Sequence, residues 1–317
     1  MSVGKIAFLF PGQGSQAVGM GKELAANYDV ARRTFAEADE ALGYKISQLC
    51  FEGPEERLKL TEITQPAILT TSVAAFRVLS EKGLRADYVA GHSLGEYSAH
   101  VAAGTLSFPD AVRVVRSRGQ YMQEAVPVGQ GAMAAILGMP IEALEEVCRE
   151  AAQGESVAPA NINSPSQIVI SGSAAAVQRA ADLAKANGAK RAIMLQVSAP
   201  FHCSLMQPAQ DRLAQDLCSL RFNDPTVPVI KNIDGQPTTS GDEAREALIR
   251  QVTGAVQWVK SVETLRDAGV TTYLEVGPGK VLCGLTGQIQ KGVSCAHVED
   301  EVSLQKALAM LASVPSS

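Results

Sequence analysis

The chain is 317 residues long, about two domain-lengths at roughly 150 residues each. With 46% hydrophobic and 19% charged residues it falls outside the disordered and fibrous classes. Twenty-eight basic residues against thirty-three acidic ones leave a net charge of −5, which argues against nucleic acid or an anionic membrane as the main partner.

In chain order, Lys5–Phe10 reads as a buried strand that runs into Pro11-Gly12 and is too short for a signal-peptide core. Ala25–Leu42 reads as helix, Pro66–Lys82 as a second helix, Tyr88–Ala90 as a strand and Gly95–Ala103 as a helix closed by Gly104. Asp110–Ala125 is a further amphipathic helix. Next come strand Ala132–Leu137, helix Ile141–Ala152, strands Val157–Ile162 and Gln167–Ser171, helix Ala174–Asn187 and strand Lys190–Val197. That order, β-α-β-β-α-β, is the ferredoxin-like split unit. The remainder reads as helix Leu205–Leu220, strand Val227–Ile230, two helices around Asp242–Asp267, strand Thr272–Val276, a helix, strand Val293–Val298 and a last helix. The pattern predicts an α/β protein: one parallel-sheet domain over residues 1–128 and 198–317, interrupted by a ferredoxin-like insert at 129–197. No apolar run approaches the ~18 residues of a membrane span. The six cysteines form no C-x-x-C pair, so reduced thiols, no zinc site and a cytoplasmic location are expected.

Gly91-His92-Ser93-Leu94-Gly95 matches G-x-S-x-G with a strand before it and a helix after it, the context of a nucleophile elbow. Glycines let the chain bend sharply and hold Ser93 out at a helix N-terminus. There the Leu94 N–H and the helix dipole favour an oxyanion. The plainer alternative is a glycine-rich loop with a capping serine. A serine nucleophile needs a base, and the sequence has four histidines. His92 adjoins the serine and should point away; His100 lies about 10 Å along the same helix. His297 ends a late strand beside an acidic run. His202, in the loop Ser198–His202 ahead of a helix, is the expected base.

On the helix Asp110–Ala125, Ala111, Val114, Val115, Tyr121, Met122 and Ala125 share one side at 100° per residue, and Arg118 falls in the middle of them. A guanidinium facing the core must meet an anion. That anion is either an internal carboxylate or the terminal carboxylate of an acyl substrate, held by the planar fork. Gly12-x-Gly14-x-x-Ala17 loosely follows a dinucleotide fingerprint but lacks a second strand ending in an acid about 20 residues on. A loop that brings the Gln13 N–H to an oxyanion hole fits better. Gly277–Lys280 is a strand-to-helix turn, not a phosphate loop.

Together these segments resemble the malonyl-CoA:acyl-carrier-protein transacylases. The resemblance rests on Phe10-Pro-Gly-Gln-Gly-Ser-Gln16, Thr64-Gln-Pro-Ala67, Gly91-His-Ser-Leu-Gly-Glu-Tyr-Ser98, Arg118-Gly119, Met122-Gln-Glu-Ala125, Asn161-Ile-Asn-Ser-Pro165, Phe201-His202, Val256-Gln-Trp258 and Glu275-Val-Gly-Pro-Gly-Lys280. It implies an α/β-hydrolase-like domain carrying a ferredoxin-like insert. Ser93 would accept the acyl group, His202 would be its base, Arg118 would hold the malonyl carboxylate, and the N–H groups of Gln13 and Leu94 would form the oxyanion hole. The histidine would be oriented by a main-chain carbonyl, at the position of Gln251. Here the chain departs from the family: Gly254-Ala255 stands where Asn-Pro is usual, so no proline fixes that turn. Phe201, before the histidine, leans toward malonyl. The resemblance further implies ping-pong transfer between malonyl-CoA and acyl carrier protein for fatty acid synthesis. No cofactor, nucleic acid or membrane would take part, and the chain would act as a monomer. Rival readings are a carrier of polyketide type, a serine thioesterase using water, and a non-catalytic carrier-binding module.

Overall fold

The computed structural model describes residues 4–197 and 199–312. Residue 198, where the loop expected to carry His202 begins, lies outside them, as do the outermost residues of both terminal segments. Ten strands occur in chain order: β1 (Lys5–Phe10), β2 (Tyr88–Gly91), β3 (Gly131–Leu137), β4 (Val157–Ser164), β5 (Gln167–Ser173), β6 (Arg191–Met194), β7 (Val229–Ile230), β8 (Pro237–Thr238), β9 (Val270–Val276) and β10 (Ser294–Val298). They form two sheets. One runs β10-β9-β1-β2-β7-β8 and is parallel except for the β7–β8 pair; the other runs β4-β5-β3-β6 and is antiparallel.

The parallel sheet is covered by helices, so β1 is apolar almost throughout and Ala7 to Phe10 are buried on both faces. Its two central strands, β1 and β2, run side by side and end level, pairing Phe10 with Gly91. Their carboxyl ends deliver the Gln13 loop and the Ser93 turn to the same edge, the usual place for a site in an open α/β sheet. The antiparallel sheet follows the predicted β-α-β-β-α-β order. Ala134 and Ile136 of β3 pack with Leu144, Val147, Ile170 and Val177 beneath its two helices. The alternate residues Met133 and Ala135 lie on the other face with Val169, Leu195, Val197 and Phe201. The period of two thus gives the small sheet a core of its own and an apolar face turned to the site. Its edge strand β4 is joined to the larger unit at Val256, whose N–H donates to Ala160 O (2.8 Å) and whose O accepts from Ile162 N–H (2.9 Å).

Several expectations are corrected. The helix expected from Pro66 begins at Thr61 and runs to Glu81, with Pro66 inside it. Tertiary packing holds the extra turn: Thr64 Oγ1 donates to Leu58 O (2.6 Å), and Gly119 of the neighbouring helix lies so close to Thr61 O that a Cβ there would sit 2.6 Å away. β7 is shorter than expected because Pro228 precedes it, and the short β8 went unforeseen. The thiols are not all reduced: Cys283 and Cys295 form a disulfide with Cα atoms 5.6 Å apart. Sequence spacing gave no sign of it. The Val281–Ile289 helix folds back onto β10 and brings the two residues within bridging distance. Among the described residues no helix is long and apolar enough to cross a membrane.

The tightest constraint lies at the turn after β2. A Cβ on Gly91 would meet the Gly95 carbonyl at 2.0 Å, and one on Gly95 would meet Phe10 O at 2.0 Å. Backbone therefore passes backbone with no room for a side chain. Gly95→Ala should destabilise the protein by at least roughly 1–3 kcal/mol, visible as a lower melting temperature in a thermal scan; unchanged melting would contradict this packing.

Candidate active site

Ser93 precedes the Leu94–Ala102 helix with φ 52° and ψ −107°, a conformation ordinary residues avoid. His202, arriving from the other side of the cleft, also has positive φ (58°). Strained backbone of this sort costs of order 1–3 kcal/mol per residue and concentrates at functional sites. The two side chains meet: Ser93 Oγ lies 2.7 Å from His202 Nε2. His202 Nδ1 lies 2.9 Å from Gln251 O and 3.2 Å from Gly254 O. Two carbonyls can only accept, so Nδ1 carries the proton and Nε2 is left to accept from the serine hydroxyl. The turn without its usual proline therefore still presents the Gln251 carbonyl to the histidine, and adds that of Gly254.

Arg118 is 2% exposed. One terminal nitrogen donates to Gln65 Oε1 (2.7 Å); the other donates to Gln251 Oε1 (2.9 Å) and Ser93 Oγ (3.1 Å). Its Nε has no partner, and its charge lies 5.5 Å from the centre of the Tyr97 ring. Among the described residues no carboxylate reaches ion-pair distance. The internal salt bridge that the helix pattern left open is thus not made, and the guanidinium is held by neutral oxygens.

Gln13, Ser93, Leu94, Arg118 and His202 line one cavity of about 150 Å³, walled by Met122, Met133, Leu195, Val197 and Phe201. Among the described residues, the main-chain N–H groups of Gln13 and Leu94 make no hydrogen bond to the protein. A second cavity of about 280 Å³ shares Gln13, His92, Asn161 and Leu195 with the first and opens past Asn163 and Gln167. His92, expected to point away from the serine, does so: its Nε2 lies 2.8 Å from Asn163 Oδ1. His100 is buried on the elbow helix, and His297 lies on β10 beside Glu299, so neither reaches Ser93. No group of three or more His, Cys, Asp or Glu side chains among the described residues could hold a metal ion.

Sequence reasoning missed three residues. Gln65 sits on the unforeseen first turn of its helix. Asn232 follows β7 and accepts from Ser93 N–H through Oδ1 (2.6 Å). Glu96 lies one turn beyond the nucleophile candidate. No local signal marked them: Gln65 and Glu96 stand among other polar residues, Thr61, Glu62 and Thr64 in one case and Ser93, Ser98 and His100 in the other.

Residues 7–307 match the acyl transferase domain family. The chain is 52% identical to the malonyl CoA-acyl carrier protein transacylase of Escherichia coli K12 over 305 residues, 96% of this chain and 99% of that one. A solved acyl carrier protein S-malonyltransferase from Vibrio cholerae superposes with a TM-score of 0.94 at 51% identity, covering 95% and 99% of the two chains. A malonyl-transacylase solved with a type II polyketide-synthase acyl-carrier protein superposes equally well (TM-score 0.94, 49% identity, 96% and 99% covered). The fold and these likenesses define an acyltransferase. Within that class, the chain belongs to the malonyl CoA-acyl carrier protein transacylase family.

The ionisation of His202 follows from its setting. Burial first, and then the Arg118 guanidinium, push its pKa down to about 3, against the pull of the Gln251 and Gly254 carbonyls. A folded-state pKa below the unfolded one means the native protein binds fewer protons, so this group's contribution to stability falls as pH drops below the ordinary histidine value. In a histidine-ring NMR titration His202 should stay neutral from about pH 8 to about pH 5. In Arg118→Ala its midpoint should move up. A midpoint near the ordinary value in the parent would contradict this electrostatic setting.

Proposed function

We propose that the protein transfers the malonyl group of malonyl-CoA to the phosphopantetheine thiol of an acyl carrier protein through a malonyl-Ser93 ester, in two half-reactions. The observation that carries the reading is the buried Arg118 fork, unpaired with any carboxylate and bonded to the same hydroxyl that His202 is placed to deprotonate. A substrate whose acyl end bears a carboxylate supplies the missing anion.

In the first half-reaction Ser93 Oγ gives its proton to His202 Nε2 and attacks the thioester carbon. The developing oxyanion is received by the N–H groups of Gln13 and Leu94, which need no reorganisation to meet it. Collapse breaks the C–S bond, and the proton on His202 leaves with the CoA thiol. In the second, the carrier's thiol gives its proton to His202 and attacks the ester carbon; the C–O bond breaks and Ser93 recovers the proton. No cofactor takes part in these steps. His202, held as neutral imidazole, serves as base at neutral pH. The apolar wall of Met122, Met133, Leu195, Val197 and Phe201 suits the methylene between the two malonyl carbonyls. The family points to a fatty acid synthesis carrier. The likeness to a transacylase bound to a polyketide carrier favours a second acceptor, so both carriers belong in the assay.

Intact-mass measurement after mixing with malonyl-CoA should find a malonyl adduct on the parent and none on Ser93→Ala; an adduct that persists on the alanine variant moves the nucleophile elsewhere. Arg118→Ala should lower malonyl kcat/KM by about 30- to 5,000-fold, the roughly 2–5 kcal/mol cost of losing one member of a buried charge pair. Acetyl-CoA has no terminal carboxylate and should lose little. Parallel losses with both substrates, together with a lower melting temperature, would leave Arg118 a structural role only.

A further inference from the structure

Glu96 is fully buried on the helix that follows the elbow. Its Oε2 accepts from Gln251 Nε2 (2.7 Å) and from Asn232 N–H (3.0 Å). Each partner reaches on to the site. Gln251 Nε2 also donates to Ser93 O (3.0 Å), while Gln251 Oε1 accepts from Arg118 (2.9 Å). Asn232 bridges Ser93 N–H and Gly91 O through its two side-chain ends.

A primary amide has one donating end and one accepting end, and its direction is set by its partners. Here the partners at the two ends could not be more different: Arg118 can only donate, and a carboxylate can only accept. If the Gln251 amide turned over, NH₂ would face guanidinium and an oxygen would face the carboxylate. Glu96 therefore joins the Ser93 carbonyl in holding the NH₂ end, so that the amide keeps its oxygen on Arg118. It also keeps its negative charge one amide away from the guanidinium. Direct contact would have made an internal salt bridge; at one amide's remove the guanidinium is left with neutral oxygens only.

We propose that Glu96 is a positioning residue for carboxylate recognition, acting through the side-chain amide of Gln251 on the Arg118 fork. This inference rests on the malonyl-transfer reading above. It places the choice between malonyl and a neutral acyl group partly in a carboxylate that touches neither.

The test compares malonyl and acetyl kcat/KM in the full-length protein. Glu96→Ala removes one of the two acceptors on the Gln251 side-chain NH₂, loosens that amide against Arg118, and should lower the malonyl-to-acetyl ratio by about 10- to 100-fold, chiefly through malonyl KM, the scale of one weakened hydrogen bond to a charged group. Glu96→Gln retains an accepting oxygen and should recover most of the ratio. In a Gln251→Leu background, which keeps the main-chain carbonyl on His202, adding Glu96→Ala should change the ratio little further, because the two act in series. If the alanine variant does not fold, Glu96→Asp, which draws the carboxylate back from Gln251, should still lower the ratio. An unchanged ratio in the folded Glu96→Ala or Glu96→Asp variant overturns the proposal, as do losses that multiply independently in the double variant. A parent that shows no preference for malonyl overturns the substrate reading itself, which separates the two failures.

Discussion

Burying Arg118 obliges its surroundings to supply oxygen atoms without supplying an anion. A guanidinium cannot shed its charge, and leaving its donors unmet in the interior is costly. Two glutamine side-chain carbonyls and the serine hydroxyl meet that demand at the two terminal nitrogens, while Nε has no partner. Much of the local architecture is arranged around them. The helix that supplies Gln65 starts a turn before its proline, and the neighbouring helix has Gly119 where the two backbones approach. Gln251 is held at both ends, its amide between Arg118 and Glu96 and its main-chain carbonyl on His202. The same charge adds to the effect of burial in keeping the neighbouring His202 neutral.

The two sheets divide the work. The parallel sheet brings the Gln13 loop, Ser93 and the Asn232 brace to the carboxyl ends of adjacent strands, where glycines permit backbone to cross backbone. The small antiparallel sheet contributes no polar group to the dyad; its exposed alternation lends Met133 to the cavity wall. The two are not independent. Edge strand β4 is hydrogen-bonded to Val256, two residues from Gly254, whose carbonyl faces His202. A shift of the small sheet would therefore be felt first at the carbonyls that face His202.

What could be read from the amino-acid sequence was whatever local periodicity determines. The alternation of β1 and β2 with helices, the split β-α-β-β-α-β unit and the elbow at Gly91–Gly95 all depend on neighbours close in the chain. Arg118 was visible because a charge in an apolar stripe is conspicuous on a helix wheel. Gln65, Glu96 and Asn232 were not, because their importance lies in partners between 53 and 155 residues away. A buried amide looks like any other polar residue until the fold brings a guanidinium to it. The start of the Thr61–Glu81 helix was lost for a related reason, since proline locally marks a first helical position, and the contacts of Thr64 with Leu58 and of Thr61 with Gly119 that accompany the earlier start lie outside the helix. The Cys283–Cys295 bridge joins residues that spacing alone gave no reason to pair.

The left-handed backbone at His202 bears on how its side chain can be replaced. At φ 58° only glycine and asparagine sit comfortably, and most other residues carry a steric penalty of about 1–2 kcal/mol. Alanine at this position removes the imidazole and also rebalances the loop, so its effect mixes chemistry with conformation. Asparagine tolerates the turn and keeps a hydrogen-bonding group of similar reach, yet cannot take up a proton. The geometry of a single residue thus decides which substitution measures the imidazole and which measures the loop that carries it.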